Sequence, residues 1–309
     1  MTKWFENALI NYDIEVVGVT KYSDITYLIK GQRQKVILRI IDESKIELIE
    51  NIASLCLPYF ETIIFNNRKK AVSCYGNQYF YLTEYISERS LSKTYYLKNV
   101  IYNIAELHRT TLKYEHIESS YYEKLVISFE ENLRLFEKQD IDLFYKLLNN
   151  KFPSPTLWTY CLNETCGKLY VEHFARIIKL FKLECMNTNS RRIVLNFAHF
   201  DDNCFDTISN KLIGCHKLQY DSPVIDLILF IHRSYNETVL TCIKEYMNSF
   251  GLEKEEQILL ICMLYNSIKL DFRNDEYSNV YQIIEVSRRI EFIFALEDIL
   301  GIDFSKLNC

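Results

Sequence analysis

Glycine and proline are scarce in this sequence, whose 309 residues include seven glycines and four prolines. The glycines stand at positions 18, 31, 76, 167, 214, 251 and 301 and never cluster. A loop that wraps phosphate groups with backbone N–H donors needs clustered glycines, because the chain must approach the ligand closely. Neither G-x-G-x-x-G nor G-x-x-x-x-G-K-[ST] occurs. The sequence therefore excludes both common glycine-rich phosphate loops.

Other absences exclude further classes of protein. The ten cysteines include no C-x-x-C pair, the spacing typical of zinc sites. The net charge is −5 and no long basic run occurs, so the footprint of a nucleic-acid-binding protein is missing. No apolar window approaches the length that spans a bilayer, and the start, MTKWFENALINYDIE, lacks a signal-peptide core. We expect no metal site, no nucleic-acid or membrane partner, and synthesis in the cytoplasm.

Hydrophobic residues are abundant, at 49% of the chain, and their spacing changes along it. Residues 12–42 and 59–86 alternate with the period of two that is typical of antiparallel strands. Between them, residues 42–57 carry an apolar stripe at helical spacing, and residues 1–12 also suit a short helix. The first part of the chain therefore predicts a β-rich lobe with one main helix.

Helical stripes dominate after Ser90. They cover residues 98–111, 122–148, 169–183, 226–249, 253–271 and 277–300. Cys161 and Cys166 flank a predicted turn at Gly167, while Gly251 and Gly301 follow helical runs and suit C-terminal caps. We predict an α+β fold with an N-terminal antiparallel lobe at residues 1–86 and a larger, mainly helical lobe at 87–309. The hinge is placed near residues 84–90.

The stretch 193–231 carries the most specific pattern. A strand at 193–195 precedes a polar loop at 196–203, and strands near 204–205 and 211–215 lead to a helix start at Asp226. This order resembles the catalytic core of the aminoglycoside-phosphotransferase and choline-kinase superfamily, which has a two-lobed, protein-kinase-like fold. That superfamily carries H-G-D-x-x-x-x-N, then a strand ending I-D-F/W-E, then D-L at a helix start.

The resemblance extends over nearly the whole chain. VILRI (36–40) stands where the third strand of the superfamily carries a phosphate-contacting lysine, and FYLTEYIS (80–87) resembles its hinge. The A-E-L-H helix at 105–108 and Y-D-S-P-V-I-D-L at 220–227 look most like the spore-coat kinase-like family of Firmicutes, the CotS and YutH type. This resemblance implies a spore-coat or coat-assembly protein that acts through protein partners and is found in the spore coat.

The residues at the reactive positions of the superfamily differ from its pattern. Ala198 stands in place of the catalytic base, Gly214 in place of the principal metal ligand, and Arg39 in place of the lysine. Asn203 matches the second metal ligand. Phosphoryl transfer requires metal ions, a cation on the phosphates and a carboxylate base. The resemblance therefore implies a pseudokinase with no catalytic residue and no cofactor.

Three further residues match supporting positions. Glu50, or Glu47 on the same helix, stands where a carboxylate orients the strand lysine, and Glu84 lies in the hinge segment. With Arg39 and Asn203, Glu50 and Glu84 are the remnants of a nucleotide site. Asp226 matches the aspartate that braces the catalytic loop, so we expect it to be structural.

A second alignment of this segment with the superfamily motif, here called the second register, leaves an active enzyme as an alternative. In HFDDNCFD, His199-x-Asp201 mimics H-G-D and Asp206 takes the asparagine position. Asp201 or Asp202 would then act as the base of a small-molecule phosphotransferase that uses ATP and magnesium. In this register Gly214 still offers the metal no ligand.

Overall fold

The computed structural model describes residues 2–85, 93–118, 120–185, 188–197, 204–206, 209–270, 272 and 275–308. The chain divides into two compact units, Met1–Leu107 with Phe197–Gln219, and His108–Asn196 with Tyr220–Cys309. The predicted lobe boundary between residues 86 and 87 lies outside the described residues.

Strands are concentrated in the first part of the chain and long helices follow. The strands are β1 (Val16–Lys21), β2 (Thr26–Gly31), β3 (Lys35–Ile41), β4 (Ile63–Ile64), β5 (Val72–Tyr75), β6 (Gln78–Glu84), β7 (Lys113–His116), β8 (Ser190–Phe197), β9 (Phe205–Asp206), β10 (Lys211–Leu212) and β11 (Leu218–Asp221). The α-helices are α1 (Thr2–Ala8), α2 (Ile46–Leu55), α3 (Lys93–Thr111), α4 (Ser120–Leu148), α5 (Pro155–Cys185), α6 (Val224–Ile231), α7 (Glu237–Ser249), α8 (Lys254–Asn266) and α9 (Glu276–Leu300).

An antiparallel sheet forms the centre of the first unit. Its six strands run in the order β1-β2-β3-β6-β4, and β5 also pairs with β6. Hydrophobic residues alternate along these strands because one face of the sheet is buried. On that face, Ile29, Leu38 and Phe80 pack with the N-terminal helical segment, which contributes Phe5 and Leu9. The predicted α+β class, with its antiparallel N-terminal sheet and its helical C-terminal part, is confirmed.

A second, two-stranded sheet in this unit holds the segment after α2 in place. β9 and β10 form a hairpin. The Leu212 N–H donates to the Tyr59 carbonyl at 2.8 Å, and the Glu61 N–H donates to the Leu212 carbonyl at 2.8 Å. These two backbone bonds place residue 61 close to the chain that leaves β10, which begins at residue 213.

Helix pairs form most of the second unit, where α5 packs against α4, α8 and α9. The aromatic rings of Phe136 and Tyr170 meet with centroids 3.9 Å apart, and Phe174 stacks on Tyr265 at 5.3 Å. A three-stranded sheet of order β11-β8-β7 completes this unit. Within the described part of the chain, no helix is both long enough and apolar enough to cross a membrane.

The turn predicted at Gly167 is wrong, since α5 continues through this residue to Cys185. A Cβ atom at Gly167 would lie 2.3 Å from Oδ1 of Asp140 on α4. The glycine therefore permits the close approach of two helices and does not interrupt one.

The single helix predicted for residues 226–249 is two helices, α6 and α7. The side chain of Asn236 accepts a hydrogen bond from the Val239 N–H and caps the start of α7. The predicted C-terminal cap at Gly301 is confirmed, with φ +66°.

Candidate functional site

Arg39 lies on β3, where the resemblance places the phosphate-contacting lysine. Its side chain is buried, with the residue 7% exposed. Nη1 donates to Oε2 of Glu61 at 2.8 Å and to Oγ1 of Thr83 at 3.0 Å. Its guanidinium also lies over the ring of Tyr81, 5.8 Å from the centroid. The cation of this position is therefore enclosed by protein groups.

Glu61 is the central carboxylate of this site, and it is 5% exposed. While Oε2 pairs with Arg39, Oε1 accepts the backbone N–H groups of Gly214 at 2.9 Å and Cys215 at 3.0 Å. One side chain thus joins β3 to the segment where the superfamily has its metal-binding aspartate. We call Arg39, Glu61, Gly214 and Cys215 the buried ion-pair site.

Both members of the pair are held in their charged forms. Burial raises the pKa of Glu61, but the charge of Arg39 and the two backbone donors outweigh this and leave that pKa below its ordinary value. Burial likewise lowers the pKa of Arg39, and the negative charge of Glu61 reverses this and raises it above its ordinary value. The two directions agree, so the site contains a buried, ionised and hydrogen-bonded pair.

Gly214 offers no metal ligand, and its surroundings do not suit one. Its φ is +108°, a backbone conformation in which an L side chain is strained. A Cβ atom there would lie 3.4 Å from Cδ of Lys217 and 3.8 Å from Cε1 of His216. A Cβ atom would therefore meet the stem of Lys217 in ordinary van der Waals contact, and the strain of a side chain at this position comes from φ. Within the described residues, Gly214 offers magnesium-bound ATP no carboxylate at this position, and the cation of β3 is already paired with Glu61.

His216 and Tyr81 border the ion pair on the side of the short 3₁₀ helix Cys215–Lys217. Nδ1 of His216 lies 3.1 Å from the Tyr81 hydroxyl. Burial, and then the charge of Arg39, lower the pKa of His216 to about 4, so this ring is neutral at pH 7. Tyr81 is fully buried and lies beside the Arg39 guanidinium, while His216 is partly exposed.

The partner of Arg39 is Glu61 and not Glu50. Glu50 was one of two residues predicted to orient Arg39, but its carboxylate accepts the N–H groups of Ala71 at 3.2 Å and Val72 at 3.0 Å. It therefore ties α2 to β5. Glu61 was missed because it lies beyond α2. Its signal was an acidic residue inside the apolar run YFETII, which indicates a buried and paired carboxylate.

The remaining predicted residues are placed as follows. Glu84 ends β6 with an exposed side chain, and its N–H donates to the Thr62 carbonyl at 3.1 Å. Asp206 accepts the Ser209 N–H at 2.6 Å and so closes the β9–β10 turn. Residues 198–203, which include Ala198, Asp201, Asp202 and Asn203, lie outside the described residues. Among the residues that the structure does describe, no group of three His, Cys, Asp or Glu side chains is arranged to hold a metal ion.

Asp226 lies in the second unit, in the first turn of α6, and its side chain is fully buried. Its Oδ2 atom lies 3.1 Å from Nε2 of His108, whose Nδ1 lies 2.7 Å from the Tyr246 hydroxyl. Asp226, His108 and Tyr246 therefore form a buried polar chain that links α3, α6 and α7. Whether Asp226 also accepts N–H groups of the loop 198–203 concerns residues outside the described ranges.

We expect Asp226→Ala to lower the melting temperature by several degrees. The substitution leaves the buried His108 ring without its acceptor, and an unpaired buried polar group costs about 1–3 kcal/mol. Thermal unfolding followed by circular dichroism measures the change. Asp201→Ala and Asp202→Ala serve as comparisons, with expected shifts below about 0.5 kcal/mol. A melting temperature unchanged in Asp226→Ala would contradict the structural role.

Comparison with known proteins gives a fold but no family. No protein-family profile matches the sequence, and no curated protein matches it. Among solved structures, an aminoglycoside phosphotransferase from Alicyclobacillus acidocaldarius aligns over 96% of each chain, with 10% identity and a TM-score of 0.63. A spectinomycin phosphotransferase, solved in complex with ADP and spectinomycin, covers 96% of this chain and 98% of its own, with 12% identity and a TM-score of 0.51.

These two structures agree with the elements described above. Each similarity extends over nearly the full length of both chains, while the identities stay at 10% and 12%. Similarity of this kind establishes the arrangement of the chain and leaves the chemistry of individual positions to be judged from this sequence. The chain therefore has the kinase-like fold of the aminoglycoside phosphotransferases.

Proposed function

We propose that this protein is a catalytically inactive member of the kinase-like fold, a pseudokinase that acts through binding. The observation that carries the proposal is the Arg39–Glu61 pair, whose carboxylate also holds the N–H groups of Gly214 and Cys215. Two positions that an active site would direct at ATP, Arg39 and Gly214, are here both bound to Glu61 inside the protein. Phosphoryl transfer depends on metal ions and cations placed on the phosphates, whereas Gly214 offers the metal no carboxylate and Arg39 is already paired with Glu61.

The buried pair also supports a structural role for the site. Separating Arg39 from Glu61 would leave a charge buried without a partner, which costs several kcal/mol. A phosphate group could reach Arg39 only after Glu61 had moved away and Gly214 and Cys215 had lost their acceptor. The arrangement therefore stabilises the first unit at the expense of ligand binding.

The finer proposal concerns location and partners. We propose synthesis in the cytoplasm and a role in the spore coat or its assembly, through contacts with other proteins. Support comes from the segments A-E-L-H and Y-D-S-P-V-I-D-L, which resemble the spore-coat kinase-like family.

A turnover assay tests the proposal. Purified protein with ATP and magnesium is expected to release phosphate no faster than buffer, because a missing base alone lowers rates by about 10²–10⁴ and the metal ligand is missing too. The assay compares wild type with Asp201→Ala. Asp24→Ala, at a highly exposed aspartate of the first unit, is the matched control.

Two outcomes would decide between the functions. Equal background rates in wild type, Asp201→Ala and Asp24→Ala support the pseudokinase. Turnover in wild type that Asp201→Ala removes and Asp24→Ala retains would overturn it. The second register would then apply, with Asp201 as the base of a phosphotransferase.

A further inference from the structure

An exposed apolar surface lies along α5 and α9 in the second unit. Its members are Trp158 and Leu162 on α5, which are 56% and 80% exposed, and Tyr277, Tyr281 and Ile284 on α9, which are 80%, 58% and 48% exposed. We call these five residues the α5–α9 patch. Their spacing, i and i+4 on α5 and i, i+4 and i+7 on α9, places each set on one side of its helix.

The two sets face the same side because α5 and α9 run parallel. Thr156 at the start of α5 donates its N–H to Glu276 at the start of α9 at 3.0 Å, and Ser287 donates to Asn163 at 2.9 Å seven residues further along α5. With about 100° of rotation per residue, Trp158 and Leu162 then project to the same side of the helix pair as Tyr277, Tyr281 and Ile284. The five side chains therefore form one continuous surface.

The same stripe of α5 is covered at its other end by the chain itself. Phe304, which follows α9, lies under the guanidinium of Arg176 at 4.4 Å and meets the His173 ring edge-on at 6.3 Å. Positions 158, 162, 173 and 176 lie on one side of the helix at its period. An aromatic side chain thus fills one half of this surface, while the half that holds Trp158 and Leu162 stays exposed.

The size of the patch suits association of two copies. An aromatic side chain buries about 150–250 Å² when it is covered, so three that are 56–80% exposed present about 300–500 Å². Large exposed apolar patches on a monomer usually mark interaction sites. Two facing copies would bury about twice this area, roughly 600–1,000 Å², from the aromatic residues alone. Leu162 and Ile284 bring the total toward the lower end of the roughly 1,200–2,000 Å² of a stable interface.

One charged pair beside the patch is internally neutral, because Arg288 pairs with Glu285 at 3.3 Å. Two copies related by a twofold axis bring the same groups together, so this pair adds no like-charge repulsion. The Glu276 carboxylate keeps its negative charge, because its hydrogen-bond partner Thr156 is neutral. Trp and Tyr are also the residues most enriched among energetically important interface positions.

We infer that the α5–α9 patch is the interface of a symmetric homodimer. Two copies pack Trp158, Leu162, Tyr277, Tyr281 and Ile284 against the same residues of the other chain. The exposed Cys161, which directly precedes Leu162, then lies at the edge of the interface and gives a natural position for cross-linking.

Sedimentation equilibrium in about 0.15 M salt tests the inference, since this salt concentration screens the net charge. Wild type is expected to show twice the chain mass of 36.9 kDa at micromolar concentrations. Leu162→Glu and Tyr277→Glu are each expected to weaken association at least tenfold. Ile127→Glu, at an exposed residue of α4 outside the patch, is the matched control and is expected to leave the dimer intact. Circular dichroism confirms that the variants are folded.

A short bismaleimide provides a second measurement on the wild-type protein. Cross-linked dimer is expected to form, and Cys161→Ser is expected to abolish it although the exposed Cys56 and Cys74 remain. A monomer at all concentrations up to about 100 µM would overturn the inference. A dimer that survives both Leu162→Glu and Tyr277→Glu would also overturn it, because the contact would then lie elsewhere.

Discussion

Replacing Glu61 with glutamine is expected to lower the free energy of unfolding by about 3–5 kcal/mol, the usual effect of removing one partner from a buried ion pair. Glutamine keeps an amide oxygen for the N–H groups of Gly214 and Cys215, so the loss reports the uncompensated charge of Arg39. Urea denaturation of wild type and variant measures it. Glu84→Gln, at an exposed side chain of the same unit, is expected to change stability by less than about 0.5 kcal/mol.

A double variant makes this prediction more specific. Adding Arg39→Met to Glu61→Gln removes the unpaired charge, and apolar replacement of buried ion pairs is often neutral or stabilising. The double variant is therefore expected to recover a large part of the lost stability. If Glu61→Gln is as stable as wild type, or if Arg39→Met adds a further loss to it, the pair does not hold the site together.

The contribution of Glu61 to the free energy of unfolding also depends on pH. Its folded pKa is lowered, so the stabilisation is present above the ordinary glutamate value and is lost as the pH falls through the folded value. Acid unfolding of wild type should therefore include this loss, whereas Glu61→Gln lacks a titrating group at this position.

Glu297 is expected to make the stability of the second unit depend on pH in the opposite direction. This carboxyl group, on α9, is buried and accepts a hydrogen bond from the Tyr265 hydroxyl at 3.2 Å. Burial, with a smaller effect from Asp298, raises its pKa to about 7, although Tyr265 and Arg176 act to lower it. Nδ1 of His173 lies 3.9 Å from the Glu297 carboxylate, but burial lowers the pKa of that ring, so it is neutral at pH 7.

The direction of the effect follows from proton binding. Between the unfolded value near 4.5 and the folded value near 7, the folded protein keeps a proton that the unfolded chain releases. The stabilisation by protonated Glu297 is therefore fully present below about pH 4.5 and is lost as the pH rises through 7. The loss is about 3 kcal/mol, at 1.36 kcal/mol per pKa unit. Glutamine imitates the protonated form, so Glu297→Gln should remove this loss.

Urea denaturation at pH 5 and pH 8 measures the prediction. The stability of Glu297→Gln relative to wild type is expected to rise by about 2.5 kcal/mol between the two pH values, because a small part of the loss has already occurred at pH 5. Glu291→Gln, at an exposed residue of the same helix, is the control and should leave the pH dependence of wild type unchanged. A constant difference between Glu297→Gln and wild type would show that Glu297 does not hold a proton at neutral pH.

Most helices and strands of the fold could be predicted from the spacing of hydrophobic residues alone. Alternation over residues 12–42 and 59–86 predicted the strands of the first unit, because one face of that sheet is buried under the N-terminal helical segment. The role of Gly167 could not be predicted from the sequence, because it depends on a contact with Asp140 on another helix, which leaves no space for a Cβ atom. The break between α6 and α7 was missed although residues 232–238, HRSYNET, are mostly polar, and its available signal was the capping residue Asn236.

The sequence predicted which residues of the candidate site depart from the superfamily pattern, but it did not predict the carboxylate that binds them. Gly214 and Arg39 could be identified by their positions in a pattern. The carboxylate that joins them could not, because Glu61 follows α2 in a loop that only the pairing with β10 brings beside Gly214. Long-range contacts of this kind leave no periodic signal, and the one available sign was an acid surrounded by apolar residues.

Magnesium-dependent binding of ATP tests the central claim most directly. Thermal unfolding is measured with ATP, with magnesium, and with both. A ligand at a hundred times its dissociation constant stabilises a protein by about 2.7 kcal/mol. The buried Arg39–Glu61 pair and the missing carboxylate at Gly214 predict that ATP with magnesium at millimolar concentration leaves the melting temperature within error of the protein alone. A magnesium-dependent rise of several degrees that Asn203→Ala abolishes would contradict the account.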